Sequence, residues 1–68
     1  MSKESFKAKM QKKADEQTLE AERLEEAIGE GGSETFSEEQ LFHMRSQMKV
    51  AYARAELYNK VLADINKN

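Results

Sequence analysis

The chain of 68 residues is one domain in size, and at that length folding buries only about 60% of the surface that the unfolded form exposes, so stability is marginal from the start. It holds no cysteine and a single histidine, which closes the disulfide and metal routes to stapling a small fold and leaves oligomerisation or very regular helix packing. A formal net charge of −2 argues against bulk nucleic-acid affinity. No apolar run approaches the roughly 18 to 20 residues of a membrane span, and the N-terminal lysines are not followed by a signal peptide's apolar core. The expectation is a cytoplasmic protein.

There is no proline, and the three glycines, Gly29, Gly31 and Gly32, fall within four positions of one another. Because glycine and proline are the strongest local punctuators, one interruption between two long helices is expected. The abundance of Ala, Glu, Lys, Gln, Met and Leu agrees. The first helix spans about 3–28, starting near Ser2 or Ser5 and ending at Ile28, with Gly29 as its left-handed C-terminal cap. Its stripe is narrow: Phe6, Met10, Ala14, Ala21, Leu24 and Ile28 share a face that Lys13 and Gln17 interrupt. The alanines allow close approach but bury little.

A glycine-rich turn over 29–36 is short enough to force the helices to lie antiparallel as neighbours. The second helix, about 38–66, has the clearer start. Ser37 and Gln40 have the spacing of a capping box, Phe36 and Leu41 that of a hydrophobic staple, and Glu38 and Glu39 suit the positive end of the helix dipole. Leu41, Met44, Met48, Ala51, Ala55, Tyr58, Leu62 and Ile65 follow a 3,4,3,4,3,4,3 spacing, an a/d seam sustained over about four heptads. The expected architecture is all-α: an antiparallel hairpin of two long helices forming a single domain over 1–68.

A second apolar face is expected on that helix. At 100° per residue, Val50, Ala53, Leu57 and Val61 cluster roughly opposite the seam, with Phe42 nearby. Scattered surface apolars need no explanation in themselves. One neighbouring helix, however, cannot cover both sides. A homodimeric four-helix bundle or a heteromeric helical complex satisfies both. Tyr58 lies in the seam and fills the core. Tyr52 lies at the seam margin, beside Arg45 and Glu56, as an interface aromatic would. The candidate interface is therefore Phe42, Val50, Tyr52, Ala53, Leu57 and Val61.

Charge is segregated along the chain. Residues 1–13 carry five lysines against Glu4, residues 14–39 ten acids against Arg23, and residues 40–68 five bases against two acids. Folding back at the glycines brings the two basic ends together and makes the hairpin a polar rod. Such runs are ordinarily a solvated surface. An acidic DNA-mimic inhibitor is a lesser alternative, weakened because the carboxylates point in many directions around the first helix instead of forming one stripe. The N-terminal lysines suit an anionic partner, but Phe6 and Met10 offer too little apolar area for firm membrane binding.

The residues of catalysis are missing. His43 stands three positions after Gln40, where the Glu-x-x-His motif of helical-bundle metal sites needs a carboxylate, so it reads as an exposed or interface-edge histidine. No phosphate-binding glycine loop, cysteine nucleophile or calcium loop occurs, and two helices build no cleft that excludes water from a general acid or base. No enzyme activity, cofactor or small-molecule substrate is expected.

In order along the chain, Leu24-Glu25-Glu26-Ala27-Ile28, Phe36-Ser37-Glu38-Glu39-Gln40-Leu41 and Ala55-Glu56-Leu57 resemble the Hha/YmoA family of small helical modulators that bind nucleoid-structuring proteins. The resemblance covers about a third of the chain, needs gaps, and lacks the family's aromatic C-terminal segment. It implies a transcriptional co-regulator acting through a protein partner. Size and hairpin plan are also similar to the small co-chaperones of type III secretion needles, which implies an assembly or secretion role. The common expectation is a noncatalytic adaptor, regulator or inhibitor working through helix-to-helix contacts with a protein partner or with itself.

Overall fold

The computed structural model describes residues 3–67. Helix α1 runs Lys3–Gly29, a single helical turn α2 Gly32–Thr35, and α3 Glu38–Lys67. The two long helices pack against each other over their length as an antiparallel hairpin measuring 48 × 16 × 13 Å. The expected start near Ser2 and the Asn68 end of the tail lie outside the described residues.

All eight seam positions expected on the second helix are withdrawn from solvent on α3. Leu41, Ala51, Ala55 and Leu62 are buried, and Met44, Met48, Tyr58 and Ile65 half-buried, whereas every other described position of that helix is exposed. On α1 the covered line is Lys7, Met10, Ala14, Gln17, Ala21, Leu24 and Ile28, with Lys13 and Thr18 at its margins. That line repeats 3,4,3,4,3,4 and matches the seam it faces.

Two expectations for α1 are corrected here. Phe6 is 41% exposed, because the heptad spacing continues back from Met10 to the half-buried Lys7, a residue type whose aliphatic stem can line an apolar seam while its ammonium stays in water. Lys13 and Gln17 do not interrupt the stripe. Gln17 lies in the covered line and Lys13 at its margin, both half-buried.

The buried core is four alanines and two leucines: Ala14, Ala21, Ala51, Ala55, Leu41 and Leu62. Alanine lets the backbones approach but contributes one methyl group each, so the interface is close and thin. The chain leaves 5319 Å² accessible. A compact monomer of its 7.8 kDa mass exposes about 4,400 Å².

The turn departs from the expected plain loop. Gly29 remains helical, and Gly31 is the left-handed residue, at φ 73°. The helix thus runs one residue past Ile28, and Glu30 N–H still donates to Glu26 C=O at 3.1 Å. Gly31 C=O then accepts from the Glu34 N–H at 3.0 Å and the Thr35 N–H at 3.2 Å to build α2, and the Thr35 hydroxyl adds a third donor to the same oxygen. Gly32 is buried because the chain folds tightly there. A Cβ on it would stand 3.2 Å from the Ala27 carbonyl oxygen and 3.4 Å from Leu41 Cδ2.

The start of α3 is as the sequence implies. The Gln40 N–H donates to Ser37 Oγ at 3.2 Å, and the Ser37 N–H donates to Gln40 Oε1 at 2.9 Å, so the capping box is closed in both directions. Phe36 is half-buried and Leu41 buried, and both converge on Gly32. This anchors the turn to the hairpin end.

Candidate functional site

The exposed large apolar side chains of α3 are Phe42, Val50, Tyr52, Leu57 and Val61; Ala53 is exposed as well. These six do not form one patch. At about 100° per residue, Val50, Leu57 and Val61 lie within about 40° of one another. Ala53 and Phe42 lie about 60–80° further round, toward the back of α3, and Tyr52 about 200° away on the opposite flank.

The three aliphatic residues form a strip on one flat side of the hairpin. Val50 borders an open groove that α1 and α3 line together, with Glu16, Gln17 and Glu20 on one wall and His43, Gln47 and Arg54 on the other. Val50 therefore flanks the seam. The helical-wheel expectation of a strip opposite it is corrected for this residue, because the hairpin is only 13 Å thick at its narrowest and its flank is also its broad side. The strip is well exposed, Leu57 at 61% and Val50 at 48%. His43 is exposed at the groove wall, with the Phe42 ring edge-on to it at a centroid distance of 6.1 Å.

Tyr52 has an intramolecular partner that sequence reasoning did not name. Its hydroxyl donates to Glu25 Oε2 at 2.5 Å across the two helices. That bond to a carboxylate, helped by partial desolvation and the negative charges of Glu25 and Glu22, raises the phenol above its usual pKa of 10.0. Tyr52 is a latch between α1 and α3 on the flank away from the aliphatic strip. The signal that could have found it is the antiparallel pairing itself, since the residues are 27 apart in sequence.

Among the described residues, no group of three or more His, Cys, Asp or Glu side chains is placed to hold a metal ion, and no helix is long and apolar enough to cross a membrane. Acid and base divide along the rod. The half nearest the turn, residues 19–50, has eight carboxylates against Arg23, Arg45 and Lys49, a formal −5. The open half, residues 3–18 and 51–67, has eight bases against five carboxylates, a formal +3. No family model, curated relative or solved structure matches the chain.

Proposed function

We propose that this protein is a noncatalytic interaction module, a small adaptor, regulator or inhibitor that binds another helical surface through the Val50, Leu57 and Val61 strip of α3. The observation that carries the reading is the contrast between the core and the outer face of α3. Four of the six buried side chains of the hairpin are alanines, whereas larger aliphatic side chains on α3 face water, Leu57 at 61% exposure. A contact that covers the strip supplies burial that the hairpin core lacks. The groove beside it holds acidic, basic and amide side chains, the polar rim that surrounds the apolar centre of a protein interface. Membership of the Hha/YmoA family is not proposed. Transcriptional co-regulation and assembly or secretion chaperoning are both ways of using such a surface.

The test is a pair of substitutions compared by light scattering and thermal melting. Leu57→Glu should abolish association and change the stability of the separated hairpin by no more than about 0.5 kcal/mol, as at other exposed sites. Leu62→Glu places a carboxylate in the core and should cost more than about 3 kcal/mol. If the separated Leu57→Glu hairpin loses as much stability as Leu62→Glu does, the strip belongs to the fold and the reading is wrong.

A further inference from the structure

Independently of what covers the strip, we infer that the hairpin is an oxidation-sensitive fold, loosened when its seam methionines become sulfoxides and restored when they are reduced. The sites are Met44 and Met48 on α3 and Met10 on α1. All three are half-buried and stand in the covered lines of their helices. Met44 and Met48 follow one another in the seam between buried Leu41 and buried Ala51, and Met10 lies beside buried Ala14 along α1.

The first observation is how much of the seam these thioethers supply. From Leu41 to Leu62 it runs through Met44, Met48, Ala51, Ala55 and Tyr58, so between the two leucines only Met44, Met48 and Tyr58 are larger than alanine. The middle of the facing line on α1 is Ala14, Gln17 and Ala21. A long, flexible methionine fills the space that alanine leaves. Its sulfoxide is polar and chiral and disrupts such packing, and seating that polar group in an apolar seam costs it its water.

The second observation is access. The rod is 13 Å thick at its narrowest, and part of each of these methionines meets solvent. A peroxide can therefore reach them without prior unfolding. The chain has no cysteine, so no thiol competes for the oxidant. In the reaction a sulfur lone pair attacks one peroxide oxygen, the O–O bond breaks, sulfur gains that oxygen, and the peroxide leaves as water. Sulfur is oxidised by two electrons and the peroxide reduced by two. Methionine sulfoxide reductases, one for each epimer, reverse the step; a dithiol becomes a disulfide and the oxygen leaves as water.

The experiment treats the full chain with hydrogen peroxide and removes the oxidant with catalase. Peptide mapping by mass spectrometry places the added oxygen atoms and separates the seam sulfoxides from one at Met1, and circular dichroism follows melting. Sulfoxides at Met44 and Met48 should lower the melting temperature by about 10 °C or more, the shift that a stranded polar group produces in so small a domain. The two reductases with a dithiol should return it to its starting value. The chain carrying Met10→Leu, Met44→Leu and Met48→Leu, a volume-conserving set, should melt alike before and after peroxide. If that chain does not fold, a time course on the unsubstituted chain decides, since the fall in melting temperature must track oxygen at Met44 and Met48 and not at Met1. Seam sulfoxides with unchanged melting overturn the inference. So do methionines that oxidise only in urea, or a leucine chain that loses as much as the unsubstituted one.

Discussion

The three glycines of the turn differ so much in environment that one substitution, to alanine, should stabilise at the first and destabilise, for different reasons, at the other two. Gly29 is helical, and an added Cβ meets nothing within 4 Å. Alanine there should stabilise by up to about 1 kcal/mol, the difference between the two residues in a helix. Gly31 sits at φ 73°, where a Cβ crowds the following carbonyl, and alanine should cost about 1–2 kcal/mol although the space is open. Gly32→Ala should also destabilise, because the obstacle at 3.2 Å is the backbone carbonyl of Ala27 and cannot swing aside as a side-chain tip would; overpacking of this sort costs about 1–3 kcal/mol. In a domain of this size 1 kcal/mol moves Tm by about 4–8 °C. Far-UV circular dichroism on the three variants at one protein concentration resolves them, the fixed concentration holding any contribution from association constant. If Gly29→Ala destabilises while Gly31→Ala is tolerated, the left-handed cap is at Gly29 and the turn geometry described above is wrong.

Ser37→Ala removes one half of the capping box and should cost about 0.5–2 kcal/mol in chemical denaturation; an unchanged midpoint would mean that the Gln40 backbone N–H is not held by the Ser37 hydroxyl. Ala21→Leu forces a larger side chain into a position that is 0% exposed and should lose about 1–3 kcal/mol, whereas Ala53→Leu on the exposed back of α3 should stay within about 0.5 kcal/mol, so equal losses would refute the close approach. Tyr52 titrates above its ordinary pKa in the folded hairpin; its contribution to stability is thus fully present below about pH 10 and lost as pH rises through the folded-state value. Tyr52→Phe should remove that alkaline component from the stability profile, and an alkaline loss unchanged in Tyr52→Phe would assign it to other groups.

How far the sequence reveals this structure depends on the range of the forces involved. The α3 seam and the Ser37–Gln40 box are set by spacing and by contacts within one turn, and both are legible to the residue. At Phe6 the local pattern misleads. Phenylalanine is the more apolar choice, but the geometry of the seam selects Lys7, whose stem suffices where the end of the hairpin meets water. At the turn, glycine identity indicates a left-handed residue without saying which of three supplies it. The answer depends on how Gly32 fits between Ala27 and Leu41, a contact between elements. The Tyr52–Glu25 bond was hidden for the same reason: it exists only once the helices are in register. The strip was legible as composition, but the division of Tyr52 from Val50, Leu57 and Val61 emerges only from seeing which flank each occupies.

The alanine-built core has a consequence for hydrogen exchange. With Ala14 and Ala21 on one helix facing the line of Ala51 and Ala55 on the other, no deeper layer remains to shelter either helix when the other detaches. The amides of both helices should therefore share one opening event, with protection fading toward the open end and no slow-exchanging remnant left behind. Detachment of one helix is, for this protein, global unfolding.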